Sequence, residues 1–199
     1  MLTIHTLTLG AYQVNCYIVS LAGSDRCAVI DPGYEPEKIL AFLQKKGLQA
    51  EAVLLTHGHF DHVGGAKTLS AATGCPVFLR DEEKTLPQQI TAGPLEPTVE
   101  YPAQFSVAGM DFLVLHTPGH TPGSVCLLVE DTMFSGDTLF AGSCGRVDFP
   151  GGNAAEMFQS LTRLKNLPKD YRVLPGHGEE TTLDAERRFN PYMQSSRLL

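Results

Sequence analysis

Hydrophobic and polar positions alternate, or cluster in short apolar runs, over residues 3–9, 15–20 and 26–30, and this pattern predicts three strands. The third run stops at Asp31-Pro32-Gly33, a turn-forming triplet, so the three strands are expected to form a meander. Ile39, Leu40 and Leu43 then recur at helical spacing, which predicts a helix over 36–46 with Pro36 in its first turn and Gly47 just past its end. Ala52-Val53-Leu54-Leu55 predicts a buried strand. A second helix is expected over 66–72, with its N-terminal dipole facing the region of His62, followed by a short strand over 76–79 and a solvated helical turn at Asp81-Glu82-Glu83-Lys84. Residues 85–102 contain Pro87, Pro94, Pro97 and Pro102 with little hydrophobic period, so this stretch reads as a surface crossover, with a lid over a site as the competing reading.

The second half follows the same logic. Strands are predicted over 104–107, 110–115, 124–130 and 132–135, joined at Ala108-Gly109 and Glu130-Asp131. A helix over 154–166 places Phe158, Leu161 and Leu164 on its core face, 172–174 forms a closing strand, and a last helix over 184–189 ends at Asn190-Pro191. Strands alternating with helices imply an α/β layered domain, whose functional groups belong at the carboxyl ends of strands. Those ends carry polar turns that hold His120, Asp137 and His177.

The length of 199 residues suits a single domain over 1–199, with a sizeable core. A formal charge of −7, with no Lys/Arg run, argues against a nucleic-acid partner. No segment approaches transmembrane length, and the N-terminus lacks a basic, then apolar, signal pattern; a cytoplasmic protein without membrane partners is the expectation. The five cysteines are odd in number and show no Cys-x-x-Cys spacing, which fits free thiols.

Directly after the run at 52–55 comes Thr56-His57-Gly58-His59-Phe60-Asp61-His62. In extended backbone, side chains two apart point the same way, so His57 and His59 can converge on one ion at a Zn–N distance of about 2.0–2.1 Å, with Gly58 leaving room between them. A turn after Phe60 would aim Asp61 and His62 at a neighbouring position. Asp31 is expected as a turn-maker and as a support behind a metal ligand. His5 and His116 read as structural histidines, with His116 at most a support for the site.

This cluster with Gly64-Gly65, then Thr117-Pro118-Gly119-His120-Thr121, Gly136-Asp137-Thr138-Leu139-Phe140 and Pro175-Gly176-His177, resembles the ordered motif set of the metallo-β-lactamase superfamily over essentially the whole chain. The resemblance implies a four-layer αββα sandwich with a dinuclear site at one edge of its two sheets. It assigns His57, His59 and His120 to one metal, Asp61, His62 and His177 to a second, and Asp137 to a bridge, which also makes Asp61 and Asp137 the candidate catalytic carboxylates. Two divalent ions are implied, zinc foremost with iron or manganese as alternatives.

The stretch from Gly136 to Arg146 is similar to the loop of type II glyoxalases, hydroxyacylglutathione hydrolases that cleave S-D-lactoylglutathione to glutathione and D-lactate. That resemblance implies attack by a metal-bridging hydroxide on a small-molecule thioester. It also implies substrate contacts from Arg146, Cys144 and Phe149, Arg146 matching a cationic position for a glutathione carboxylate. Two departures stand out. Asp148 occupies a position that is aromatic in the longer glyoxalases, and 22 residues follow His177, so a short form without the C-terminal glutathione-binding helical domain is expected. Cys144-Gly145-Arg146-Val147-Asp148-Phe149 also resembles persulfide dioxygenases, which use one iron to oxidise glutathione persulfide. Other ester or phosphodiester hydrolysis ranks behind both.

Overall fold

The computed structural model describes residues 1–95 and 97–194. The meander predicted at the start is present: β1 (Leu2–Leu9), β2 (Val14–Leu21) and β3 (Arg26–Ile30) pair antiparallel in sequence. Helix α1 (Pro36–Lys46) returns the chain so that β4 (Gln49–Leu54) pairs parallel with β3. After the short α2 (Phe60–Val63) and α3 (Ala66–Thr73), β5 (Val77–Phe78) closes a five-stranded sheet in the order β1-β2-β3-β4-β5.

The second sheet has six strands in the order β13-β12-β9-β8-β7-β6. Its members are β6 (Gln104–Val107), β7 (Met110–His116), β8 (Val125–Val129), β9 (Thr132–Gly136), β12 (Arg172–Pro175) and β13 (Thr181–Thr182). Between β9 and β12 lie a small hairpin, β10 (Leu139–Phe140) with β11 (Ser143–Cys144), and helix α4 (Ala154–Lys165). Two more helices end the described chain, α5 (Leu183–Phe189) and α6 (Pro191–Gln194).

Three apolar cores separate four layers. Along β2, Val14, Cys16 and Ile18 face α1 and α3, whereas Tyr17 and Val19 face the other sheet. Along β8, Val125, Leu127 and Val129 face the first sheet while Cys126 and Leu128 meet α4. Both faces of these central strands are covered, which is why they read in the sequence as nearly continuous apolar runs. The result is the αββα sandwich expected from the motifs.

Several local expectations change. On α4, Met157, Leu161 and Leu164 recur at i, i+4 and i+7 and take the core face, and Phe158, one position round the helix from Met157, is only half buried. At the N-terminus of α3 the Gly65 amide donates to the Pro32 carbonyl at 2.7 Å, so that amide is used to hold the Asp31-Pro32-Gly33 turn. The stretch 85–102 is not a lid: none of its described residues lines the site cleft. It runs beside β5 and backs the metal loop instead, with Val99 N donating to Val77 O and Phe60 N donating to Ile90 O at 2.8 Å. The largest correction is Glu83. The turn Asp81–Thr85 is not solvated throughout, because Glu83 is 0% exposed. No helix among the described residues is long and apolar enough to cross a membrane.

Candidate metal centre

Four strand ends meet at one edge of the sandwich. β4 delivers His57 and His59, α2 carries Asp61 and His62, the turn after β7 holds His120, β9 ends beside Asp137, and β12 leads to His177. Backbone hydrogen bonds stitch the two sheets there. Val125 N donates to Thr56 O at 2.9 Å, and Asn15 N donates to Gly176 O at 2.8 Å. The Asn15 side chain donates to the carbonyls of Pro175 and Gly178, and the Tyr17 hydroxyl to Pro175, so β2 of the first sheet sets the loop that presents His177. Asn15 was invisible as a site-building residue in the sequence; its one signal is a polar side chain inside an apolar strand.

All seven residues singled out by the motifs come together. Their donor atoms form three overlapping triads, His57/His59/His120, His57/His62/Asp137 and Asp61/His62/His177. His59 Nδ1 lies 2.9 Å from His120 Nε2, His62 Nε2 lies 3.3 Å from His177 Nε2, and His177 Nε2 lies 3.2 Å from Asp61 Oδ2. Asp137 stands between the sets, with one carboxylate oxygen 3.4 Å from His62 Nε2 and the other 3.5 Å from His120 Nε2.

The outward ring atoms settle which nitrogen faces inward. His62 Nδ1 donates to Asp31 Oδ2 at 2.9 Å, His120 Nδ1 to the Arg146 carbonyl at 2.8 Å, and His177 Nδ1 to the Tyr12 carbonyl at 3.0 Å. Each therefore presents an unprotonated Nε2 to the centre when neutral. The Thr56 hydroxyl donates to Asp31 Oδ2 at 2.7 Å and so accepts from His57 Nδ1 at 3.1 Å, which frees His57 Nε2 as well. Asp31 thus serves both halves of the cluster, and Thr56 N donates to its other oxygen at 2.8 Å.

This arrangement fits divalent ions. His57 Nε2 and Asp137 Oδ1 are buried without any hydrogen-bond partner, an expensive condition that a cation relieves. Two lone-pair nitrogens 2.9 or 3.3 Å apart repel unless something positive lies between them. Such spacings approach the edge of a tetrahedron, about 3.3 Å when metal–nitrogen distances are about 2.0–2.1 Å.

Electrostatics point the same way. Burial, reinforced by the neighbouring imidazoles, drives the pKa of His57 well below its ordinary value and that of His59 down to about 4, so both offer lone pairs. Burial also opposes charge on His62, yet the carboxylates of Asp137 and Asp31 hold its pKa well above the imidazole range. For Asp137, burial opposes ionisation but the charge of His62 overrides it and keeps the carboxyl well below the usual range. The second half of the cluster therefore demands positive charge, whether protons or metal.

The centre opens into a cleft of about 550 Å³ walled by Tyr12, Phe60, Phe140, Phe149, Ser143 and Cys144, with Arg146 at its rim. Burial pushes the Cys144 thiol up to about 11, so it is an un-ionised wall group. Arg146 lies in the cleft but is not free: it forms a two-pronged pair with Asp148 at 2.7 and 2.8 Å and stacks on the Phe149 ring at 3.7 Å. His116 braces the His120 turn through Pro122 O at 2.8 Å, and His5 packs on Phe42 away from the site.

Residues 9–177 match the family model described as the metallo-beta-lactamase superfamily. The chain belongs to that superfamily. Among relatives, it is 36% identical to "Probable metallo-hydrolase YqgX" of Bacillus subtilis, covering 94% of this chain and 95% of that one. It is 33% identical to "Hydroxyacylglutathione hydrolase GloC" of Haemophilus influenzae, covering 98% and 99%. Among solved structures, TTHA1623 in a di-iron-bound form is 42% identical with a TM-score of 0.84, covering 94% of this chain and 99% of that chain. The BLEG-1 B3 metallo-beta-lactamase is 31% identical with a TM-score of 0.87, covering 97% and 100%. ETHE1 from Myxococcus xanthus is 29% identical with a TM-score of 0.84, covering 98% and 86%. Superfamily membership and the donor cluster together make this a metal-dependent enzyme of the metallo-hydrolase type that uses divalent ions.

Proposed function

We propose that the protein is a dinuclear-metal hydrolase of glutathione thioesters, acting on S-D-lactoylglutathione to give glutathione and D-lactate. The observation that carries the dinuclear part is the complete set of seven donors in three overlapping triads linked through His57 and His62, with the Asp137 carboxylate reaching 3.4 Å from His62 Nε2 on one side and 3.5 Å from His120 Nε2 on the other. In this reading His57, His59 and His120 would hold one ion, Asp61, His62 and His177 would hold the other, and Asp137 would serve both. Ions so held supply Lewis acidity toward a carbonyl oxygen and bring the pKa of coordinated water to about 7; zinc suits the donor set, and iron or manganese are the alternatives.

The chain's own groups divide the remaining work. Asp61, partly open to the cleft and ionised through its contact with His177, orients the water. The carbonyl–sulfur bond breaks as water oxygen bonds to the acyl carbon, and the departing thiolate takes up a proton to leave as thiol. Phe140, Phe149 and Tyr12 exclude bulk water from the acyl group. The Arg146 guanidinium faces a substrate carboxylate once its pairing with Asp148 is released. Full-length similarity to a relative named hydroxyacylglutathione hydrolase supports this substrate.

A second reading, oxidation of glutathione persulfide at one iron, draws on the Cys144–Phe149 loop and on similarity to ETHE1. Metal analysis of the purified protein, paired with thiol release from S-lactoylglutathione and oxygen uptake on glutathione persulfide, separates the two. Two metals per chain with thiol release and no oxygen uptake is the expected result. One iron with brisk oxygen uptake overturns the hydrolase reading.

A further inference from the structure

Glu83 is the buried ionisable group that the seven-donor scheme does not use. It sits in the turn Asp81–Thr85, whose neighbours Asp81 and Glu82 reach solvent and pair with Lys84 and Arg80. The Glu83 side chain turns inward. One carboxylate oxygen accepts the Gly58 amide at 2.5 Å, and the other accepts the Gly123 amide at 2.6 Å. Within the His120 turn, the Thr121 hydroxyl pairs with the Ser124 hydroxyl at 2.6 Å.

These partners are not arbitrary places on the backbone. Gly58 lies between His57 and His59, at the end of β4 in the first sheet. Gly123 lies in the turn that carries His120, between β7 and β8 of the second sheet. One carboxylate therefore spans the two loops whose imidazoles form the first triad, the same loops across which His59 Nδ1 and His120 Nε2 come to 2.9 Å.

The two glycines carry an independent record of this contact. A Cβ at Gly58 would lie 2.8 Å from Glu83 Oε2 and 2.9 Å from Leu95 Cδ1, and one at Gly123 would lie 2.8 Å from Glu83 Cγ and Oε1. Gly58 thus makes room for the Glu83 carboxylate and Leu95, not simply for the flanking imidazoles. Neither glycine has a positive φ, so the demand is for space and not for backbone freedom.

A carboxylate with no solvent exposure is a costly group to bury. Burial pushes the Glu83 carboxyl pKa up and the Gly58 and Gly123 amides partly offset that; such charge-assisted bonds fix geometry more stiffly than neutral ones. We propose that Glu83 is a positioning residue for the first metal: by tying the His57-Gly58-His59 loop to the His120 turn, it sets the separation of the three imidazoles before an ion arrives. The inference rests on the assignment of those histidines to one ion.

The test uses Glu83→Gln, of nearly the same size, in which one oxygen is replaced by an amide nitrogen that opposes a backbone N–H. Zinc affinity is measured by chelator competition and first-site geometry by the absorption bands of cobalt(II)-loaded protein, with urea unfolding of the metal-free forms as the fold control. The expected result is a first-ion affinity reduced about 10–100-fold, with altered cobalt bands. Gly58→Ala, which displaces the carboxylate from the other side, is expected to reproduce both effects, and the double variant to lose little more than either single one. Lower urea stability with unchanged affinity and unchanged cobalt bands makes Glu83 merely structural and overturns the proposal. If Glu83→Gln does not fold, amide exchange in the wild-type holoprotein decides: Gly58 and Gly123 amides should rank among the slowest loop amides, and fast exchange at both overturns the clamp. Wild-type protein that binds no ion would sink the ligand assignment itself, an outcome distinct from normal binding in both variants.

Discussion

Asp31→Asn changes one atom, and its effect can be worked through the hydrogen-bond chain. Asp31 accepts from Thr56 N, from Thr56 Oγ1 and from His62 Nδ1 at 2.8, 2.7 and 2.9 Å. Its backbone has φ 48°, a left-handed conformation that Asn tolerates, so the turn itself survives. The amide has two orientations. With its NH₂ toward His62 and Thr56 Oγ1, both hydrogen bonds reverse: His62 then accepts at Nδ1 and carries its proton at Nε2, and Thr56 donates to His57 Nδ1, which moves the His57 proton to Nε2. Both inward lone pairs vanish, and ions are refused. With the NH₂ toward Thr56 N, the lone pairs remain, but a buried donor faces a donor at a cost of about 1–3 kcal/mol. Metal uptake selects the second orientation and must supply that cost. Zinc affinity should fall about 10–100-fold, equivalent to about 1.4–2.8 kcal/mol. Chelator competition measures the affinity, and urea unfolding of the metal-free proteins checks the fold. An Asp31→Asn protein that binds both ions within about twofold of wild type refutes the proton-position argument.

Three further outcomes are expected. Asp148→Ala frees the Arg146 guanidinium and should lower KM for a glutathione thioester by about two- to fivefold with kcat unchanged, as exposed ion pairs are weak competitors; a raised KM in steady-state kinetics would show that Asp148 assists binding. Asn190 Nδ2 donates to Ser143 O and to the buried Glu186, which also accepts the Gly142 amide, so Asn190→Ala should destabilise the protein by about 1–3 kcal/mol in urea and loosen the loop bearing Phe140 and Cys144; KM rising with metal content constant is the kinetic signature, and unchanged exchange of the Gly142 amide counts against it. In the metal-free protein, His62 and His177 have pKa values raised above the ordinary value of about 6.5, so their contribution to stability is complete below that pH and is lost as pH climbs through the raised values. Ions must displace those protons, so zinc affinity should weaken as pH falls, and calorimetry in two buffers of different ionisation enthalpy should register proton release; identical heats in both would contradict it.

His57, His59, Asp61 and His62 could be read from the sequence because neighbouring residues on a strand end and the turn after it share one location whatever the rest of the chain does. His120, Asp137 and His177 became interpretable only as an ordered set of strand-end turns resembling a known family, since nothing local makes a single histidine or aspartate a ligand. The layers were legible for a related reason: apolar periodicity reports how a segment is covered. Periodicity is silent about polar residues, however, and the groups that hold this site in shape are polar. Glu83 sits in an acidic turn that looks solvated, Asn15 interrupts an apolar strand without explanation, and Glu186 and Asn190 belong to a helix and its C-terminal cap. Their burial is decided by backbone amides and carbonyls arriving from the other sheet or from a distant hairpin. The sequence alone thus determined which residues can bind metal and in what order they occur. The tertiary structure decided which nitrogen of each imidazole faces inward, how far apart the donors stand and which carboxylates neutralise them, because those depend on hydrogen bonds between segments that only folding brings together.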